Sequence, residues 1–231
     1  MNHLGVFAKY WEPGTVKTRL ARDVGCAAAA NLFREFVRET TRRFAAAGDH
    51  RSLWITPPGR EHEFQELCGP GWAIHRQADG NLGDRMRCFF RYQLVRHRYV
   101  VLTGSDVPDL PLRRIADAFD KLESHDVVLG PGTDGGYWLV GMRNRPGRIF
   151  DGIDWGTHRV LDQTRQRLDE EGRRFAELAS WSDVDRLDDL HALRERVTRP
   201  PVDPDSPLVS AIDQALGGLR PPGTQQITEP A

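Results

Sequence analysis

Tyr99-Val100-Val101-Leu102-Thr103-Gly104-Ser105-Asp106-Val107-Pro108-Asp109-Leu110-Pro111 passes from an unbroken apolar run into a polar turn. An apolar run without polar alternation reads as a strand covered on both faces, as in a parallel sheet. A carboxylate just past such a strand stands where open α/β sheets bind their ligands. Asp106 is therefore a candidate for holding a hard divalent cation beside phosphates. The local alternative is a turn or helix cap, which suits Asp109 better. Pro111 suits the start of a helix over Leu112–Leu122.

Outward from this segment, short apolar runs alternate with amphipathic stretches. Toward the N-terminus, strands are expected at His3–Ala8, Arg51–Ile55 and Trp72–Gln77. A long helix is expected from Lys17 to about Ala47, because Leu20, Val24, Ala28, Leu32, Phe36 and Thr40 repeat every four residues. Glu61–Leu67 and Asp84–His97 read as further helices. Beyond Pro111, strands are expected at Asp126–Leu129, Gly135–Met142 and Arg174–Leu178, with helices at Arg159–Glu171 and Leu187–Val197. This order predicts an α/β fold, with a mostly parallel central sheet, right-handed crossovers, helices on both faces and a small antiparallel element. Residues 1–198 read as a single domain. Seven of the fifteen prolines follow Arg199, so 199–231 reads as a Pro-rich tail that wraps or frays, with a short helix at Leu208–Leu216.

Composition narrows the class. With 32 basic and 33 acidic residues the net charge is −1, so a nucleic-acid partner is not expected. Of the basic residues all but Lys9, Lys17 and Lys121 are arginine. Cys26, Cys68 and Cys88 are odd in number and lack ligand spacing, which argues against a disulfide framework and a structural zinc. Scattered free thiols suit a cytoplasmic location. No apolar run reaches membrane-spanning length, and Lys9 interrupts the N-terminus before a secretory core forms.

Four loops carry the candidate chemistry. The first is Lys9-Tyr10-Trp11-Glu12-Pro13-Gly14-Thr15-Val16-Lys17-Thr18-Arg19-Leu20. It joins a glycine turn and three cations to an expected helix start, which suits phosphate, although it is not a P-loop and a solvated loop reads equally well. Gly80-Asn81-Leu82-Gly83-Asp84-Arg85-Met86 offers amides and Arg85 to a base, ribose or phosphate, or is simply a helix cap by Asp84. Gly130-Pro131-Gly132-Thr133-Asp134-Gly135 spells GxGxxG, but Pro131 lacks an amide and an extended segment follows. It reads instead as a turn bringing Asp134 near a ligand. In Trp181-Ser182-Asp183-Val184-Asp185-Arg186-Leu187-Asp188-Asp189-Leu190, Asp185 either caps the last helix or reaches the same metal as Asp106. Nothing resembles a GxSxG nucleophile elbow or HExxH.

In this order the strings FAKYWEPGTVKTRL, GNLGDRM, VVLTGSDVPDL with DVVLGPGTDGGYWLVG, and WSDVDRLDDL resemble one bacterial transferase family. It is the radical-SAM/selenodomain-associated transferase 1 family, or arsenosugar-biosynthesis glycosyltransferases, of the nucleotide-diphospho-sugar transferase superfamily. The resemblance spans Leu4 to Leu193 and implies a Rossmann-like GT-A fold. It implies that Lys9, Gly14, Lys17, Arg19, Gly83 and Arg85 bind a nucleotide or its phosphates. Asp106 and Asp185 would hold Mg²⁺ or Mn²⁺, and Asp134, Gly135 and Gly136 would border the sugar or acceptor. GNLG in place of a GDLG-type turn removes one carboxylate. The resemblance implies glycosyl transfer from a nucleotide sugar to a small acceptor. Superfamily relatives that act as guanylyltransferases leave transfer from an NTP open, and a nucleotide-binding sensor without turnover is the reading from another class.

Overall fold

The computed structural model describes residues 1–199 and 206–219. Its elements run β1 (Asn2–Lys9), α1 (Ala21–Val24), α2 (Cys26–Arg43), β2 (His50–Thr56), α3 (Glu61–Cys68), β3 (Ala73–Arg76), α4 (Leu82–Gln93), β4 (Tyr99–Gly104) and α5 (Leu112–Leu122). They continue with β5 (Val127–Pro131), β6 (Tyr137–Met142), α6 (Val160–Glu170), β7 (Phe175–Glu177), α7 (Leu187–Val197) and α8 (Pro207–Gly217).

The strands form one sheet in the order β3-β2-β1-β4-β6-β5-β7. β1 pairs in parallel with both β2 and β4, and β2 pairs in parallel with β3. β6 runs antiparallel between β4 and β5, and β7 returns to parallel beside β5. The expected α/β architecture with a small antiparallel element is thus observed. After β1 the chain builds outward through β2 and β3, then recrosses to lay β4 on the other side of β1. The loops leaving β1 and β4 diverge there, which opens a crevice at their carboxyl ends.

Two apolar layers sandwich the sheet. Leu4, Val6 and Ala8 of β1 belong to the layer that contains α2, α5, α7 and α8, while Phe7 packs against the layer that contains α4 and α6. This is the period-two alternation of a strand buried on both sides. Gly5 has a steric reason: a Cβ there would run into the ring of Phe89 from α4. Phe89 is fully buried, and its truncation to alanine would cost about 3–5 kcal/mol.

The expected single helix from Lys17 is two helices and a turn. Gly25, at φ 86° and ψ 153°, interrupts the ladder between α1 and α2, and Lys17 itself is left-handed at φ 47°. The four-residue spacing continues across the break because Leu20, Val24, Ala28, Leu32 and Phe36 all pack on the same core layer, Val24 and Ala28 only partly buried. At α4 the cap is Asn81 rather than Asp84. Its side chain accepts from the Asp84 amide at 3.0 Å, and Asp84 accepts from the Asn81 amide at 3.2 Å. The GxGxxG spelling opens no helix, since 132–136 is the turn between β5 and β6.

Helix α8 buries Leu208, Ala211, Ile212 and Ala215 in the core layer that contains α2. Ser206 caps it, and Pro207 fills its first position. Of the prolines after Arg199, all except Pro207 lie outside the described residues. Among the described residues no helix is long and apolar enough to cross a membrane.

Candidate functional site

A cleft of about 470 Å³ opens at the carboxyl ends of β1 and β4. The β1–α1 loop, the β4–α5 loop, the β5–β6 turn and the segment between β7 and α7 supply its walls.

The β1–α1 loop is tightly braced. The Tyr10 amide donates to the Thr56 carbonyl at 2.7 Å, and Thr15 folds back on the Glu12 carbonyl through its hydroxyl at 2.9 Å. Trp11 stacks on Tyr10 and meets Phe64 edge-on. Val16 and Leu20 are buried, so they anchor both ends of Lys17-Thr18-Arg19. Lys17 is thereby directed inward, with its side chain 3% exposed. A non-glycine residue at positive φ costs about 1 kcal/mol or more, and such strain concentrates at functional sites.

The Lys17 ammonium forms an ion pair with Asp106 and donates to Asp185 Oδ1 at 3.0 Å. Arg19 reaches the other oxygen of Asp185 at 3.4 Å. Behind the ammonium lie the rings of Phe33 and Phe36, 5.8 and 5.9 Å from it. Burial alone would depress the pKa of this lysine. The charges and hydrogen bonds of Asp106 and Asp185 outweigh it and raise the pKa above the ordinary lysine value.

Asp106 follows the buried strand β4, and its carbonyl accepts from the Val184 amide at 3.2 Å, tying this loop to the segment before α7. The start of α7 assigns its acids differently from a simple Asp185 cap. Asp189 accepts the amides of Asp185 at 3.0 Å and Arg186 at 2.8 Å. The Asp185 carboxylate is therefore left to face Lys17 and Arg19.

Asp183 joins the cleft from the same segment. Burial, reinforced by the charges of Asp185, Asp134 and Asp106 and opposed by Lys17, pushes its pKa up to about 6. Asp183 has no expected role from the sequence motif. The signal was the alternation Asp183-Val184-Asp185: Val184 is fully buried, so in an extended segment both aspartates point the other way.

The opposite wall is a turn and four aromatic rings. Asp134 Oδ1 accepts from the Gly136 amide at 2.9 Å, and the Gly132 amide donates to the Gly136 carbonyl at 2.9 Å. Gly135, at φ 87°, accepts from the Leu161 amide at 2.9 Å and packs so closely on the His158 backbone that a Cβ would clash. Tyr137, Trp138, Trp155 and Trp181 line the cleft beside this turn. The buried Trp138 indole N–H has no partner among the described residues.

Of the residues expected at the site, the cleft brings together Lys17, Arg19, Asp106, Asp134, Gly136 and Asp185. Lys9 and Arg85 line an adjoining pocket of about 330 Å³ that shares Gly104, Asp106 and Trp138 with the cleft. There Lys9 braces the loop by donating to the Thr15 carbonyl at 2.7 Å, and Arg85 donates to the Gln77 side chain at 3.2 Å. Gly14 lies in an exposed turn at φ 82° with open space around it. Gly83 is packed under Trp155, whose ring would be 2.8 Å from an added Cβ.

Among the described residues no group of three or more histidine, cysteine, aspartate or glutamate side chains forms a metal site by itself. Two carboxylates converging on one positive centre form a different donor set. Mg²⁺ is commonly held by one or two carboxylates together with substrate phosphates. The pair Asp106 and Asp185, now bridged by the Lys17 ammonium, fits a hard cation that phosphate oxygens also ligate.

Residues 40–157, about half of the chain, match the family described as "Uncharacterized protein conserved in bacteria (DUF2064)". No curated protein matches the sequence. Among solved structures, the chain is similar to a protein of Desulfovibrio desulfuricans G20 provisionally assigned as a nucleotide-diphospho-sugar transferase. The identity is 30%, the TM-score 0.86, and coverage is 94% of this chain and 96% of that one. A nucleotidyl transferase of Methanothermobacter thermautotrophicus shares the fold at 13% identity and TM-score 0.59, covering 85% and 97% of the two chains. An inositol-1-phosphate CTP transferase of T. maritima shares it at 12% identity and TM-score 0.53, covering 92% and 96%.

Proposed function

We propose that this chain, which belongs to the bacterial DUF2064 family, is a metal-dependent transferase that moves a sugar from a nucleotide sugar to a small acceptor. The observation that carries this reading is the convergence of Lys17, Asp106 and Asp185 at the point where β1 and β4 diverge. The provisional assignment of the Desulfovibrio protein agrees with it. So do the motif strings shared with the radical-SAM/selenodomain-associated transferase 1 family.

In this reading Lys17 and Arg19 turn from the carboxylates to the phosphates of the bound nucleotide. Asp106 and Asp185 would hold Mg²⁺ or Mn²⁺, which when bound would supply positive charge at the leaving diphosphate. Trp155, Trp181 and Tyr137 give flat apolar faces to a sugar ring and keep water from the anomeric carbon. Asp134 and the Gly135-Gly136 backbone border the sugar or acceptor. Lys9, Gly14, Gly83 and Arg85 shape the nucleotide side: Lys9 and Gly14 through the loop, Arg85 beside the adjoining pocket, and Gly83 by admitting Trp155. Three free thiols support work in a reducing, cytoplasmic compartment.

The test is ³¹P NMR of the protein incubated with Mg²⁺, UDP- and GDP-sugars or nucleoside triphosphates, and a small-molecule extract. Release of nucleoside diphosphate from a nucleotide sugar supports the reading. Release of pyrophosphate from a triphosphate would replace it with nucleotidyl transfer. Binding without either product would leave a sensor.

A further inference from the structure

We infer that Lys17 makes this site selective for a metal ion that arrives together with a phosphate group, and weak for the free ion. The inference rests on the proposed metal site at Asp106 and Asp185 and deepens it.

The ammonium of Lys17 occupies the point on which both carboxylates converge. Its side chain is 3% exposed, its polar partners are those two carboxylates, and phenylalanine rings back it. A free divalent ion taking the carboxylates would strip Lys17 of both counter-charges and leave a buried cation facing Phe33 and Phe36. Breaking a buried ion pair by removing one side is strongly unfavourable, because the other charge stays desolvated and unpaired.

A metal bound to a diphosphate avoids this cost. Asp106 and Asp185 would then hold the metal, and Lys17 would turn to the phosphate oxygens that accompany it. Every charge keeps an opposite partner through the exchange. Arg19, which reaches Asp185 from a more exposed position, can follow the same path. Metal and diphosphate binding are then positively coupled through one lysine, and the coupling is reciprocal by linkage.

The experiment uses Mn²⁺ and inorganic pyrophosphate as probes. Free Mn²⁺ binding is read by EPR of the aquo ion for the unaltered protein, Lys17→Met, and Lys17→Met with Asp106→Asn. Lys17→Met should bind free Mn²⁺ at least tenfold more tightly than the unaltered protein, and the added Asp106→Asn should abolish the gain. Equal free-ion affinities in the unaltered and Lys17→Met proteins would overturn the inference. A second measurement needs no variant and decides the matter if Lys17→Met does not fold. Pyrophosphate retained in equilibrium dialysis of the unaltered protein should bind at least tenfold more tightly with Mn²⁺ than without it. Absence of that coupling would also overturn the inference. If coupling is absent while nucleotide sugars still bind, the exchange alone fails. If neither pyrophosphate nor any nucleotide binds, the proposed function fails with it.

Discussion

Lys17 and Asp185, 168 residues apart in the chain, meet at 3.0 Å in the wall of the cleft. The contact closes the site between the first and last loops of the sheet. It predicts a stability cost when the carboxylates are neutralised. Asp106→Asn with Asp185→Asn leaves the Lys17 ammonium buried without a counter-charge. The loss should be about 2 kcal/mol in urea unfolding, below the ~3–5 kcal/mol of a fully buried pair because both carboxylates reach solvent. Lys17→Met in the same background should recover most of it.

Asp109 and Arg196 form a second tie beneath the site. Asp109 is buried, pairs with Arg196 Nε and accepts from Trp181 Nε1 at 3.4 Å. Arg196→Ala should cost about 3 kcal/mol in urea unfolding, because it strands a buried carboxylate. Asp109→Asn with Arg196→Ala should cost less than Arg196→Ala alone.

Gly135 predicts a backbone defect. Its φ of 87° and its contact with the His158 backbone leave no room for a side chain. Gly135→Ala should cost more than about 1 kcal/mol. It should also displace Asp134, so that a lowered melting temperature accompanies weaker ligand binding.

At the opposite, amino-terminal end of the sheet, His3 predicts an acid limit to stability. Burial, with the nearby His97, His50 and His75, lowers its pKa to about 3 from an ordinary 6.5. The unfolded chain therefore binds a proton between those values that the folded protein refuses. Stability is full above about pH 6.5 and falls toward pH 3, with a slope approaching about 1.4 kcal/mol per pH unit for this one group. His3→Gln should flatten that slope in chemical unfolding measured from pH 7 to 4.

The fold was legible because its signals are local. Leu112–Leu122 and Leu187–Val197 are helices at the expected bounds, and Tyr99–Gly104 is the buried central strand. The helix break at Gly25 was not legible, because apolar spacing reports which side is buried and not whether the backbone is continuous. The site was partly legible. Motif residues such as Lys17 and Asp106 follow strands, so their end of the sheet can be read from order alone. The Lys17–Asp185 contact depends on how the β7–α7 segment lies along β5. There the Trp181 amide donates to the Pro131 carbonyl at 3.1 Å, a long-range pairing with no local signature. The brace made by Lys9 was hidden for a related reason: a lysine at a strand end, ahead of a glycine turn, looks the same in sequence whether it meets a phosphate or a carbonyl.

The most direct test of the proposed site is isothermal titration of UDP- and GDP-sugars and nucleoside triphosphates, with and without Mg²⁺ or Mn²⁺, into the unaltered protein and Asp106→Asn. At least one nucleotide should bind the unaltered protein in a metal-dependent way, and Asp106→Asn, with its fold intact, should lose that dependence. Unchanged metal-dependent binding in folded Asp106→Asn would contradict the account.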